Sequence, residues 1–309
     1  MSQEQAFEDW EFYRYDPSLP AAVIFATVFA LSTALHFVQL INSRTWFFLA
    51  LAIGGLFQVI GYIGRAISHS ETPNWTLGPY IIQTLFILIA PALFAASIYM
   101  ELGRIILMVE GEKLSLIKKR FLTKIFVTGD VLSFVMQGGG GGYMAGAKTA
   151  DGVHTGENIV VGGLFVQIAF FGFFIITSVI FHYRLANNPT VLSHSTPWRR
   201  HLYALYGASV LILIRSIFRV IEYLQGNSGY LLSNEVFLYI FDALLMAMVM
   251  IIFNLVHPSE IKIILMGGKV ERRGWIMMQS VPQSRSRGPS VSRSYTSTFQ
   301  SLVDTEGSV

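Results

Sequence analysis

The sequence predicts an all-α, polytopic membrane protein: a bundle of seven transmembrane helices with the N-terminus outside and the C-terminus cytosolic. Three observations lead there. Hydrophobic residues make up 53% of the 309-residue chain and charged residues only 13%, with a mean hydropathy of +0.53. A soluble domain carries roughly a quarter of its residues charged, so most of this chain has a solvent other than water. Apolar runs of about 20 residues, the length that crosses hydrocarbon, recur along the sequence, and Lys and Arg are concentrated on alternate connecting segments.

The spans fall at about 20–41, 46–68, 78–103, 121–144, 158–183, 202–224 and 235–257, together a membrane domain over 20–258. The fourth is weakened by glycines and Asp130, the sixth by Arg215 and Arg219. Residues 1–19 form a polar, acidic extracellular tail with no basic flank before an apolar run, so the first span, not a cleavable signal peptide, directs insertion. Residues 259–278 form a basic juxtamembrane segment carrying Lys262, Lys269, Arg272 and Arg273, explained equally by anionic lipid and by ordinary positive-inside bias. Residues 279–309, rich in Ser and Arg, read as a disordered cytosolic tail.

Charge sets the orientation. One set of segments holds Arg44, Arg104, Lys113, Lys118, Lys119, Arg120, Lys124, Arg184, Arg199, Arg200 and the basic residues after the last span. The other set has Arg14 and Lys148, with Arg65 near the end of the second span, among Glu4, Glu8, Asp9, Glu11, Asp16, Glu71, Asp151 and Glu157. The basic set is cytosolic. The one glycosylation sequon, Asn74-Trp75-Thr76, then lies in an outside loop.

Several chemistries are excluded. With no cysteine there are no disulfides, thiolate zinc sites or cysteine nucleophiles. His36, His182 and His257 lie within spans but form no His-x-x-x-His pair, which argues against a zinc hydrolase. The run Gly138-Gly139-Gly140-Gly141-Gly142 is followed by Tyr143-Met144 and not by the Gly-Lys-Ser/Thr ending of a phosphate loop. No nucleotide, other cofactor or nucleic-acid partner is expected, and neither is enzymatic activity. Inside an apolar segment the glycines mark either close helix packing or a helix break lining a cavity.

Charges inside spans are costly and usually face the bundle interior in pairs. Arg215, Arg219 and Glu222 fall at i, i+4 and i+7 on one face of the sixth span; Glu235, Tyr239 and Asp242 repeat the spacing on the seventh. Counting about nine residues down from the outer end to Arg215 and about seven from Glu235 to Asp242 gives similar depths, about 13 and 10 Å. The short loop QGNSGYLLSN makes these helices antiparallel neighbours, so an Arg–Asp pair is expected, with Glu222 and Glu235 on the outer rim. Such a pair can be purely architectural, or two arginines against one deep Asp can leave charge for an anionic head group. On the fourth span Asp130, Ser133 and Gln137 form a polar stripe leading to the glycines, with Asp130 either paired to Arg215 or Arg219 or protonated. Gln58, Gln83 and Gln167 read first as helix bridges.

The segments IQTLFILIAPALFAASIYMELGRII, FVTGDVLSFVMQGGGGG and IRSIFRVIEYLQGNSGYLLSNEVFLYIFDALLMAMVMIIFNLVHP together resemble the fungal lipid-translocating exporter family, also called resistance to aminocholesterol or RTA-like, over roughly 15–265. The resemblance implies seven spans, a fungal plasma membrane (or endoplasmic reticulum or vacuolar membrane) and movement of amphipathic lipids with resistance to membrane-active compounds. Its partners would be membrane lipids or amphipathic small molecules such as sphingoid bases or porphyrins. The residues themselves suggest a polar track of Asp130, Gln137, Arg215, Arg219, Glu222, Glu235 and Asp242. The alternative is a seven-helix lipid sensor or receptor without transport; Glu101-x-x-Arg104 is similar to a receptor ionic switch, but no Asn-Pro-x-x-Tyr follows in the last span.

Overall fold

The computed structural model describes residues 13–147, 149–226, 229–267, 270–273 and 276–279. Its long helices are α1 (Leu19–Ser43), α2 (Leu49–Ser70), α3 (Leu77–Met108), α4 (Lys119–Gly146), α5 (Ala150–Asn187) and α6 (Trp198–Leu224). A seventh long helix is built in three joined pieces: α7 (Glu235–Leu238), a π-helical segment (Tyr239–Leu244) and α8 (Leu245–Leu255). Six of these helices are long and apolar enough to cross a membrane, which defines a polytopic helical membrane protein. The remaining one, α4, has 28 residues and so has the length, but glycines and charged residues dilute its apolar character.

Local sequence explains the boundaries. α1 starts with Pro20 in its first turn, where a missing N–H costs nothing, and stops at Arg44, whose left-handed backbone (φ 53°) closes the last carbonyls. Thr149 caps α5 by accepting a hydrogen bond from the Gly152 N–H at 3.2 Å. Pro91 lies inside α3 without ending it. After α8 the chain turns into a short helix, α9 (Ser259–Leu265), and then an antiparallel hairpin of β1 (Val270–Arg273) with β2 (Ile276–Gln279). Part of the expected juxtamembrane segment is thus regular structure, while the bundle itself is all helical. The expected tail beyond Gln279 and the first 12 residues lie outside the described residues.

α3 is the central helix, packed against α2, α4, α6 and α9. Lipid solvates leucine as well as protein does, so helices here are held by close packing and polar bridges. A Cβ on Gly54 of α2 would lie 2.7 Å from the Phe94 ring of α3, and one on Gly61 would lie 2.6 Å from Ile87. Phe29, Phe94, Tyr99, Phe126, Phe174 and Phe253 fill the interior, while Ile24, Leu31 and Val135 face outward, more than half exposed.

Candidate functional site

Most of the charge in the bundle centre is neutralised locally. Asp242, fully buried in the π-helical segment, receives Arg215 Nε on Oδ1 at 2.8 Å and Arg215 Nη2 on Oδ2 at 3.1 Å. Arg219, one turn further along α6, donates Nε to the same Oδ2 at 3.0 Å and also contacts it through Nη2. The other arm of Arg219 reaches Glu222 Oε2 at 2.7 Å, and Arg215 Nη2 also bonds the Ile87 carbonyl at 3.1 Å. The expected pair between the sixth and seventh spans is therefore present, and both arginines take part. Two cations meet two carboxylates, so no surplus positive charge is left for an anionic head group.

Glu235 does not join this cluster. It pairs with Arg65 of α2, at 2.6 Å to Nη2 and 3.2 Å to Nε, and accepts the Ser18 N–H at 2.8 Å. Arg65 also donates to the hydroxyls of Tyr239 (3.0 Å) and Tyr15 (2.9 Å), and its guanidinium lies 5.3–5.9 Å from the rings of Tyr13, Tyr15 and Tyr239. The chain before α1 is thereby strapped across one end of the bundle. Tyr13 donates to Gln83 Oε1 at 2.8 Å and lies 3.0 Å from Ser68 Oγ. Burial raises its phenol above the ordinary value, keeping it a neutral donor.

Ser133 and Gln137 of the α4 stripe face α5, away from the arginines. Ser133 Oγ donates to the Gly163 carbonyl at 2.7 Å, and Gln137 Nε2 donates to Ser133 Oγ (2.6 Å) and Gln167 Oε1 (3.2 Å). Gln137 and Gln167 are a helix bridge, as Gln83 is to Tyr13; Gln58 has no hydrogen-bonding partner among the described residues. Asp130 is 5% exposed, pairs with neither arginine, and faces the Tyr99 hydroxyl, with no partner at hydrogen-bonding geometry on either oxygen among the described residues. The expected track is therefore four separate groups, not one continuous path.

The five glycines stay within α4, which runs unbroken to Gly146. Gly140 alone of the five is closely packed: a Cβ there would sit 2.7 Å from the Gly156 carbonyl and 2.8 Å from Val160. Gly138, Gly139, Gly141 and Gly142 have open space around them. Asn74 lies exposed in the turn between α2 and α3, where Glu71 binds Thr76.

Beneath the strap lies a cavity of about 150 Å³. Tyr13, Arg14 and Tyr15 cover it; Tyr80, Gln83, Thr84, Ile87 and Leu88 of α3, Glu157 and Leu164 of α5, and Arg219, Glu222 and Tyr223 of α6 form its walls. Met144 of α4 and Leu231, Leu232 and Leu238 complete an aliphatic side. Of the residues expected from sequence, Arg219 and Glu222 reach this cavity. Sequence reading missed its tyrosines, although the tail's Phe12-Tyr13-Arg14-Tyr15 was an aromatic signal in an otherwise polar segment.

A bundle of long apolar helices with its buried charges paired is that of an integral membrane protein. Residues 51–263 match the family model described as RTA1 like protein, and the chain belongs to the RTA1-like family. It is 36% identical over 293 residues to Protein RTM1 of Saccharomyces cerevisiae, covering 82% of this chain and 93% of that protein. Protoporphyrin uptake protein 1 of the same yeast is 36% identical over 278 residues, covering 78% and 90%. The sphingoid long-chain base transporter RSB1, also from Saccharomyces cerevisiae, is 27% identical over 279 residues, covering 79% and 72%. No solved structure matches the chain.

Proposed function

We propose that the protein moves an amphipathic lipid across the membrane, binding its head group in the strapped cavity while the hydrocarbon tail stays in the bilayer. The carrying observation is the cavity's mixed lining: Glu157, Glu222 and Tyr13, Tyr80 and Tyr223 together with Leu88, Leu164, Leu231 and Leu238. At about 150 Å³ it suits a head group and is smaller than the roughly 300–1,000 Å³ that encloses a whole drug-sized ligand. Arg219 and Glu222 are engaged with each other and with Asp242, so Glu157 is the carboxylate offered to a head group, which favours an amine. An ammonium gains from a carboxylate and from aromatic faces together. Relatives named for protoporphyrin uptake and for sphingoid-base transport are in keeping with an amphipathic cargo, and a sphingoid base has the amine that this lining favours.

Seven spans, an outside N-terminus and plasma-membrane residence complete the proposal. With α4 counted as a span, the strap, the cavity and Asn74 share the outer side. The test is reconstitution into liposomes with labelled sphingoid base and labelled phospholipid. Transbilayer movement of the base supports the reading. Binding without movement, together with a ligand-evoked cytosolic response in cells, would instead establish a lipid sensor.

A further inference from the structure

A second buried polar cluster lies in the opposite half of the bundle from the strap and takes no part in the cavity. Glu101 of α3 and His201 of α6 are both fully buried, with Glu101 Oε1 3.6 Å from His201 Nδ1. His201 Nε2 lies 3.2 Å from Glu260 Oε2 of α9. Among the described residues neither oxygen of Glu101, nor His201 Nδ1, has a hydrogen-bonding partner.

The other charged and titratable neighbours complete the environment. Arg200 of α6 holds Glu260 at 3.4 Å. His257, between α8 and α9, is near enough to act electrostatically on His201, and His36 of α1 stands behind it, ring centroids 6.1 Å apart. Arg104, one turn along α3 from Glu101, has its guanidinium 5.0 Å from the Phe47 ring. No group of described residues is arranged to hold a metal ion.

These contacts constrain protons. Glu260 accepts from His201 Nε2, so in the neutral imidazole Nδ1 presents a lone pair to Glu101. A lone pair opposite an ionised, fully buried and otherwise unbonded carboxylate is strongly unfavourable. One proton carried by Glu101, as a carboxylic acid donating to the Nδ1 lone pair, removes the conflict.

We propose that Glu101 and His201 form a proton-binding site, with Glu260 fixing the imidazole, that joins α3, α6 and α9. Loss of the proton leaves a buried anion facing the Nδ1 lone pair and loosens the α3–α6 contact, while Glu260 keeps its hold on Nε2; gain restores the packing. The site needs no transport activity to be observed, so its failure and the failure of the lipid-transport reading are distinguishable.

The experiment is infrared difference spectroscopy of the full-length protein in nanodiscs across a pH series, beside nitrogen-15 spectra of histidine-labelled protein. Wild type is expected to show a carboxylic-acid C=O band that responds to pH, lost in Glu101→Gln and kept in Glu260→Gln. A band that survives unchanged in Glu101→Gln overturns the proposal. Should Glu101→Gln fail to fold, wild type still decides. A shared proton makes the carboxyl band and the His201 signal, assigned with His201→Gln, titrate with one midpoint. Two unrelated midpoints, or no titrating carboxyl band, overturn it.

Discussion

Arg215 and Asp242 meet in a two-bond fork, 2.8 and 3.1 Å long, with neither side chain more than 1% exposed. Arg219 closes on the same carboxylate from the next turn of α6, so one aspartate organises two arginines. Removing the aspartate strands Arg215 and leaves Arg219 with Glu222 alone. Asp242→Ala is therefore expected to destabilise the protein by about 3–5 kcal/mol, the cost of breaking a buried pair. The check is steady-state abundance and thermal unfolding in detergent; wild-type levels would show that the cluster is dispensable.

Asp130 makes the opposite case. It is buried like Asp242, yet neither oxygen has a partner at hydrogen-bonding geometry among the described residues. Replacing it by Asn keeps the shape and removes an unpaired carboxyl, so Asp130→Asn is expected to unfold at the same temperature as wild type or higher. A large loss of stability would mean that Asp130 is bonded in the membrane to a group other than Tyr99.

Within the glycine run, two neighbours are expected to respond differently. At Gly139 a methyl group enters open space and replaces glycine in a helix, a gain of up to about 1 kcal/mol. At Gly140 it strikes the Gly156 carbonyl, and overpacking of this kind costs about 1–3 kcal/mol. Thermal unfolding of Gly139→Ala and Gly140→Ala side by side tests this; equal midpoints would remove the close α4–α5 approach.

Glu157 is a cavity carboxylate whose partner within the protein, His154, is itself two-thirds exposed at 3.1 Å. Glu157→Gln should fold normally and weaken binding of an ammonium amphiphile by roughly ten- to hundredfold, the range for losing a charge-assisted hydrogen bond. Fluorescent sphingoid-base binding to purified protein measures it. An unchanged affinity would move the amine elsewhere in the cavity.

Asn74 is exposed, and the chain leading to Thr76 is held by Glu71. If that loop is lumenal during synthesis, a glycosidase-sensitive mobility shift is expected in the native host and absent from Asn74→Gln. The same blot reads the orientation of the α2–α3 turn.

How much of this was legible in the sequence follows from how far apart the partners lie. The Arg215–Asp242 pair could be inferred because a short loop makes their helices antiparallel neighbours and i, i+4, i+7 spacing fixes the faces. Arg65–Glu235 could not, since it joins residues 170 positions apart on helices that no short loop connects. Glu222 lies at the strap end of α6, lining the cavity, and is also bonded to Arg219 three residues before it, a contact the shared helix face allows without requiring. The Glu101–His201 approach joins α3 to α6 and was likewise invisible: Glu101 stood out only in Glu101-x-x-Arg104, and nothing in the sequence singled out His201.

The π-helical segment Tyr239–Leu244 has a consequence for tolerated change along the seventh long helix. Its wider turn fits one more residue than an α turn, and it separates Glu235, committed to Arg65, from Asp242, committed to Arg215 and Arg219. Deleting a single residue there would restore tighter winding and swing one carboxylate by about 100° relative to the other. The two anchors act like wards cut at a set angle on one key. Substitutions can be absorbed along this shaft, but a change of length between the wards leaves at least one lock unengaged.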